Sequence, residues 1–386
     1  MIYLAVFILL LFLSFHYDIC GAKGGRDAWY SVILIVFILI AGLRWRLGVD
    51  TPNYLDEFYY ETPRLDLLSI EDLKLTKPLW ILLNSIVLTF FGRFYVVQLI
   101  HATFINTFYL YFKKFHRKIN WEHPEDLNQW INWLAFNTDT TEWSRLADKY
   151  AVRDYIAEQG YEDILVPLLA VWDSPEKIDL SNLPMSFVLK MTNGCGDVII
   201  VKDKSTASLT EIRQHFAKLF AHPFGHNTAE PHYLRIRPRV IAEAFLVATL
   251  QAADSTALID YKLFTVGGVP RYCLTISNRN GLKNYCTDIY RLPEWEHCPD
   301  LVHHDEQHIV SNNVLPRPTT LDRMMEIASK LVGDHPFVRV DFYEVGQRVY
   351  FGEMTFTPAC GRMTSLAPVL QTELGKELGR MVKCRI

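Results

Sequence analysis

The rhythm of hydrophobic and polar positions changes near residue 118. Before it the chain carries four apolar runs, at 1–15, 28–43, 78–91 and 94–112. Their lengths bracket what a helix needs to cross a bilayer, and the third is short and interrupted by Asn84. After it the pattern is that of a globular domain. Apolar residues recur at helical spacing over 141–158, 208–220 and 320–332. Strand patterns lie at 186–190, 197–202, 240–245, 257–266 and 271–277. Two more, 336–343 and 349–358, flank Val345-Gly346-Gln347 and predict a hairpin. The stretch 295–313 is polar and irregular and reads as a loop. Strands and helices mix without a regular alternation, which predicts an α+β domain over a doubly wound one.

Charge sharpens this division. Residues 1–118 carry 12 Lys and Arg against 9 Asp and Glu, and the remainder carries 27 against 34. The acidic balance of the second part argues against nucleic acid as a partner. The cluster Lys113, Lys114, Arg117 and Lys118 directly follows the fourth run and places the globular part on the cytoplasmic side of a membrane. The first run lacks a basic n-region and a small-residue cleavage site, so it reads as a retained helix and not a signal peptide. Seven cysteines are scattered without a Cys-x-x-Cys pair, which predicts reduced thiols and neither a disulfide framework nor a zinc site. His303, His304 and His308 share a loop with no nearby cysteine and read as solvated.

Candidate chemistry sits in three places. In the hairpin, Val338, Val340 and Phe342 alternate with Arg339, Asp341 and Tyr343. Symmetric folding about the turn puts Arg339 opposite Glu353, with Asp341 one pleat away on the same face. Two carboxylates and an arginine on one face suit Mg²⁺ bound to phosphate oxygens. An ordinary cross-strand ion pair on a solvated face suits the same pattern. The second place is Phe187-Val-Leu-Lys190, followed by Gly194 and Gly196: a lysine-ended strand and a glycine turn that lets backbone N–H groups approach phosphate. It is neither a phosphate-binding P-loop nor a dinucleotide fingerprint, because no Gly-Lys-Ser/Thr follows and it opens a strand. The third is Glu243 within an apolar strand, where a carboxylate needs a partner such as Arg239 or Lys262.

Two resemblances follow from these residues. Arg44-Trp-Arg46-Leu-Gly48-Val-Asp50-Thr51-Pro-Asn-Tyr54 resembles the signature of EpsG-like and other Wzy-type polysaccharide polymerases over about the first hundred residues. It implies a truncated, four-span membrane segment at 1–115. Over about residues 120–370 the chain is similar to the TupA-like branch of the ATP-grasp superfamily, which implies an ATP-grasp domain at 116–386. The carrying segments are 147–155, 166–172, 187–196, 241–243, 260–262, 337–341 and 351–358. The resemblance implies an α+β ATP-grasp fold preceded by an α-helical transmembrane segment, using ATP and Mg²⁺. It implies that Lys190 and Lys262 contact ATP phosphates and that Gly194 and Gly196 form the phosphate loop. It implies Glu243 in the adenine and ribose pocket, Asp341 and Glu353 as metal ligands, and Arg339 with Lys262 as catalytic residues. Lys149 and Arg153 match an N-terminal motif without an implied role. Thr355 stands where the superfamily usually has Asn, which implies a weaker hold on a second metal. The implied activity is carboxylate–amine ligation through an acyl phosphate at the bacterial cytoplasmic membrane. Its partners would be the lipid bilayer, a uronic-acid glycan precursor, an amine and other polysaccharide-assembly proteins. A glycosyl-transferring or polymerising enzyme and a non-catalytic fusion scaffold are the alternatives.

Overall fold

A computed structural model of the chain describes residues 110–195, 198–221, 224–225, 230–247, 258–280, 284–303 and 314–383, together with Ser85. The chain divides into two compact units, Met1–Leu110 and Tyr111–Ile386. The four apolar runs lie outside the described residues apart from Ser85 and 110–112. Among the described residues no helix is long and apolar enough to cross a membrane.

The helices of the second unit are α1 (Tyr111–Phe115), α2 (Leu127–Asn137), α3 (Thr141–Ala147), α4 (Val152–Glu158), α5 (Leu209–Ala221), α6 (Pro231–Leu234), α7 (Leu321–Val332) and α8 (Pro368–Lys383). Its strands form two antiparallel sheets. The first orders β1 (Leu168–Trp172), β4 (Val240–Ala244), β2 (Phe187–Met191) and β3 (Val198–Val201). Alternation sorts its faces. Phe187, Leu189 and Met191 are buried and meet Ile212 and Phe216 of α5, while Val188 and Lys190 turn to the other face.

The second sheet orders β10 (Arg348–Thr355), β9 (Phe337–Val345), β5 (Asp260–Val266), β6 (Val269–Asn280), β7 (Asn284–Arg291) and β8 (Glu296–His297). Val338, Val340 and Phe342 of β9 are fully buried in the larger core. That core also takes Leu321, Met324, Ile327, Ala328 and Leu331, the apolar stripe of α7. Each of these side chains larger than Ala328 stabilises the fold by about 1.5–3 kcal/mol relative to exposure. Gly333, at φ +54, ends α7 in a positive-φ conformation that glycine adopts without penalty.

Three expectations change here. The helix predicted over 141–158 is broken into α3 and α4. Asp148 stands at the break: it follows α3 as its C-cap, and its Oδ1 accepts from the backbone N–H of Tyr150 at 2.8 Å and of Ala151 at 3.3 Å, which holds the turn between the two helices. The stretch 295–313 read as loop contains β8, and 304–313 lie outside the described residues. The hairpin register also differs. The turn is the two-residue Gly346-Gln347, because Val345 pairs with Arg348, and Gly346 takes the positive φ of +61 that such turns favour at that position. A bulge then interrupts the ladder between Phe351 and Glu353.

Candidate active site

The bulge assembles the site. Without it Glu353 would face the core beside Val340, because one residue of slip exchanges the faces of a strand. Gly352 is the extra residue. A Cβ there would stand 2.9 Å from the carbonyl oxygen of Asp341, so only glycine permits so close an approach. Beyond the bulge Glu353 pairs with Asp341, and Thr355 pairs with Arg339. Asp341 in turn pairs with Lys262 of β5. Glu353, Asp341 and Lys262 therefore form one row across three adjacent strands, with Arg339 and Thr355 in the next row. This corrects the symmetric register, which placed Arg339 opposite Glu353.

The row is closely bonded. Arg339 grips Asp341 with two parallel hydrogen bonds, Nε to Oδ1 and Nη2 to Oδ2, both 2.7 Å. Its Nη2 also reaches Glu353 Oε1 at 3.0 Å and the Thr355 hydroxyl at 3.1 Å. Lys262 Nζ donates to Asp341 Oδ2 at 2.5 Å. The side chain of Asp341 is 4 % exposed and that of Arg339 14 %. Such burial excludes the solvated strand face and makes each unmatched charge costly. Burial alone would raise the Glu353 carboxyl. The charges of Lys149, Arg339 and Lys262 and the Thr355 hydroxyl override it and bring the group down to about 2. Burial opposes the charge of Arg339, but Asp341 and Glu353 outweigh it and hold the guanidinium still more firmly protonated.

The first sheet contributes the other half. Lys190 and Glu243 sit diagonally on neighbouring strands, and Nζ donates to Oε2 at 2.7 Å. Arg153 of α4 donates to Glu243 Oε1 at 3.3 Å and to the Val166 carbonyl at 2.8 Å. Lys262, the alternative partner of Glu243, pairs instead with Asp341, and Arg239 pairs with Asp148 at 3.6 Å. The same face of the sheet carries Val188 and Ile241 and the exposed Val198 and Ile200, an apolar floor around the Lys190–Glu243 pair.

Lys149 joins the two halves. It occupies the break between α3 and α4, in the turn that the Asp148 carboxylate holds. Its backbone N–H donates to the Thr192 carbonyl at 3.1 Å and its Nζ to the Gly194 carbonyl. The same Nζ lies 3.6 Å from Glu353 Oε2. Gly194 has φ +137, and a Cβ on it would come within 3.0 Å of the Phe224 ring, so this loop position also needs glycine.

Of the expected site residues, Lys262, Arg339, Asp341 and Glu353 share one cluster, and Lys190 and Glu243 share a second. Gly194 touches the first through Lys149, and Gly196 lies outside the described residues. Sequence reasoning left Lys149 and Arg153 without a role and passed over the floor residues Val198 and Ile200. Strand parity with Lys190 was the signal for the latter, since Val198 pairs with Lys190 itself.

Comparison with known proteins identifies two matching families. Residues 27–122 match the EpsG family model. No curated protein matches the chain. Similar solved structures include a D-alanine–D-alanine ligase from Helicobacter pylori, at 16% identity over 67% of this chain and 69% of that one, TM-score 0.35. An L-amino acid ligase from Bacillus licheniformis is 14% identical over 61% of this chain and 49% of that one, TM-score 0.37. Residues 129–379, more than half of the chain, match the model of the TupA-like ATPgrasp family. The lysines, glycine turn and carboxylate hairpin described above lie within that range, and the chain belongs to the TupA-like ATP-grasp family.

Proposed function

We propose that this chain is an ATP- and Mg²⁺-dependent carboxylate–amine ligase of cell-surface polysaccharide assembly. In this reading residues 1–115 tether it to the bacterial cytoplasmic membrane. The domain at 116–386 faces the cytoplasm and joins an amino acid to a uronic-acid-bearing glycan precursor. The observation that carries it is the buried row of Glu353, Asp341 and Lys262 with Arg339 across it. Family membership supports the use of ATP, and the EpsG match supports membrane association and the polysaccharide context.

The donor set fits a magnesium ion brought in with nucleotide. Asp341 and Glu353 offer two carboxylates on one face. Among the described residues no group of three or more His, Cys, Asp or Glu could hold a metal by itself. Mg²⁺ is commonly held by one or two carboxylates plus substrate phosphates, so phosphate oxygens would complete its shell. When bound, it supplies charge neutralisation on the transferring phosphoryl group. The charge balance agrees. Lys149, Arg153, Lys190, Lys262 and Arg339 meet Glu243, Asp341 and Glu353, five cations against three carboxylates. The surplus matches the roughly two negative charges of Mg-ATP near neutral pH.

We assign the roles by position. Val188, Val198 and Ile200 offer a flat apolar surface to the adenine, with Glu243 beside it for adenine or ribose. Lys190, Lys149 and the backbone of the Gly194 turn hold phosphates. Lys262 and Arg339 face the γ-phosphate and neutralise charge as the substrate carboxylate attacks it. The new O–P bond forms as the bridging O–P bond breaks, and ADP leaves with that electron pair. An amine then displaces phosphate from the acyl phosphate. The test is to incubate the chain with ATP, Mg²⁺, D-glucuronate or D-galacturonate and each common amino acid. ADP release coupled to a new amide, seen by mass spectrometry and dependent on Mg²⁺, supports ligation. Sugar incorporation without ATP would favour a glycosyl-transferring enzyme instead.

A further inference from the structure

We propose that the globular part carries a lipid-contacting face of its own: the outer stripe of α2, with residues 112–121 beside it, rests on the headgroups of an anionic leaflet. This rests on the membrane reading above and goes beyond a tether, because it fixes which side of the domain meets the lipid. Helix α2 contains no charged residue, and of its 11 residues only Trp133, Phe136 and Asn137 escape burial. Their spacing of three and four puts them on one stripe of the helix. Such a stripe facing water is ordinarily charged or polar. Here it is two aromatic rings and an amide. Trp121 extends the patch: it is half-buried, and its ring meets that of Phe136 edge-on at 6.0 Å.

The segment that brings Trp121 there is both basic and pinned. Helix α1 exposes Phe112, at 46 %, together with Lys113 and Lys114. His116, at φ +53, turns the chain out of that helix. Arg117 then pairs with Asp126, the N-cap of α2, and lies 3.7 Å from Glu125. Ile119 is buried, and the backbone N–H of Asn120 donates to Gln129 Oε1 at 2.9 Å. These contacts hold 117–120 against the start of α2. Residues 111–123 carry Lys113, Lys114, Arg117 and Lys118 against the single carboxylate of Glu122. With Arg117 matched to Asp126, Lys114 and Lys118 remain as exposed positive charges beside the aromatic patch.

Charge and position choose the occupant. Tryptophan, with an apolar body and one N–H, suits the zone between hydrocarbon and water, and lysines next to it are attracted to anionic lipid. The face begins where the apolar run 94–112 ends, so a bilayer crossed by that run lies beside it. A second copy fits less well, because a two-fold contact through one patch would bring like lysines together. Contact with the leaflet holds the domain in one orientation instead of letting it swing on a linker.

The test uses the full chain with the photoreactive residue benzoylphenylalanine in place of Trp121, of Phe136 or, as a control, of Met185, which is 56 % exposed beside β2. Each protein is reconstituted into vesicles of phosphatidylcholine, alone or with phosphatidylglycerol, then irradiated and digested. Lipid-bearing peptides are read by mass spectrometry. Lipid capture at 121 and 136 should exceed that at 185 several-fold and rise further with phosphatidylglycerol. Lys114→Glu combined with Lys118→Glu should cut capture at 121 by about tenfold while the chain still floats with the vesicles. Capture at 121 and 136 no greater than at 185 would overturn the proposal, and so would capture of protein in place of lipid. Indifference to phosphatidylglycerol and to the lysine changes would overturn the assignment to an anionic leaflet. If the native chain does not float with vesicles of either composition, the membrane reading fails first and the face falls with it.

Discussion

Gly352 decides which face Glu353 occupies, although it contributes no side chain. Its bulge shifts β10 by one residue, and a Cβ in that position would press on the Asp341 backbone at 2.9 Å. Gly352→Ala should therefore either distort Asp341 or flatten the bulge. A stability loss of about 1–3 kcal/mol, typical of overpacking, is expected in urea titration, with a larger fall in ADP release. Activity at the native level would show that the bulge does not set the geometry. Val340, fully buried on the opposite face, behaves differently. Val340→Asp should unfold the domain, because it buries a charge with no partner. Glu353 gives a pH signature. Its carboxyl is lowered to about 2 from an ordinary 4.5, so its contribution is complete above about pH 4.5 and disappears as pH falls towards 2. The ceiling is about 3 kcal/mol at 1.36 kcal/mol per unit. Acid unfolding of Glu353→Gln should lack that part of the slope. An identical slope in both proteins would contradict the assigned charge environment.

Among the elements, α8 shows how packing overrides propensity. Gly375 and Gly379 are poor helix residues, yet both lie where α8 crosses α2. A Cβ on Gly375 would meet the Asp126 backbone at 2.5 Å, and one on Gly379 would meet the Trp130 ring at 2.9 Å. Gly375→Ala gains about 1 kcal/mol of intrinsic helix stability and loses about 1–3 kcal/mol to overpacking. The variant should thus unfold at lower urea than the native chain, and a higher midpoint would refute the close crossing. The same glycines hid α8 from the sequence reading. Strand β7 was hidden because Thr287 and Asp288, polar in type, are buried and spoil its alternation. By contrast α5, α7 and β9 were legible within a residue or two and β10 within three, since their apolar spacing coincides with their buried faces. The candidate site was legible as a set of residue types. Its register was not, because a bulge at one glycine leaves no periodic mark beyond the glycine itself. The break at Asp148 escaped likewise, as the apolar spacing continues across it while the carboxylate holds a turn between two helices.

At the scale of the whole molecule, two sheets with separate cores present facing chemistry, and Lys149 is the side chain that touches both. Mg-ATP should bind across them and stabilise the fold by about 2.7 kcal/mol at a hundredfold excess over Kd. Mg²⁺ alone should not, since two carboxylates already paired with Lys149, Lys262 and Arg339 offer it too few ligands. The basic cluster at 113–118 sets the expected side of the membrane. Protease added to intact cells should spare residues 116–386, and external digestion of that part would overturn both the topology and access to ATP. The most direct test of the central claim is ADP release by Asp341→Asn and Glu353→Gln, each first shown to be folded by circular dichroism. A drop of about a hundredfold or more in both, roughly 3 kcal/mol of transition-state stabilisation, is the predicted result. Near-native turnover in both folded variants would mean that the row of Glu353, Asp341 and Lys262 is a structural ion-pair network and not the catalytic centre.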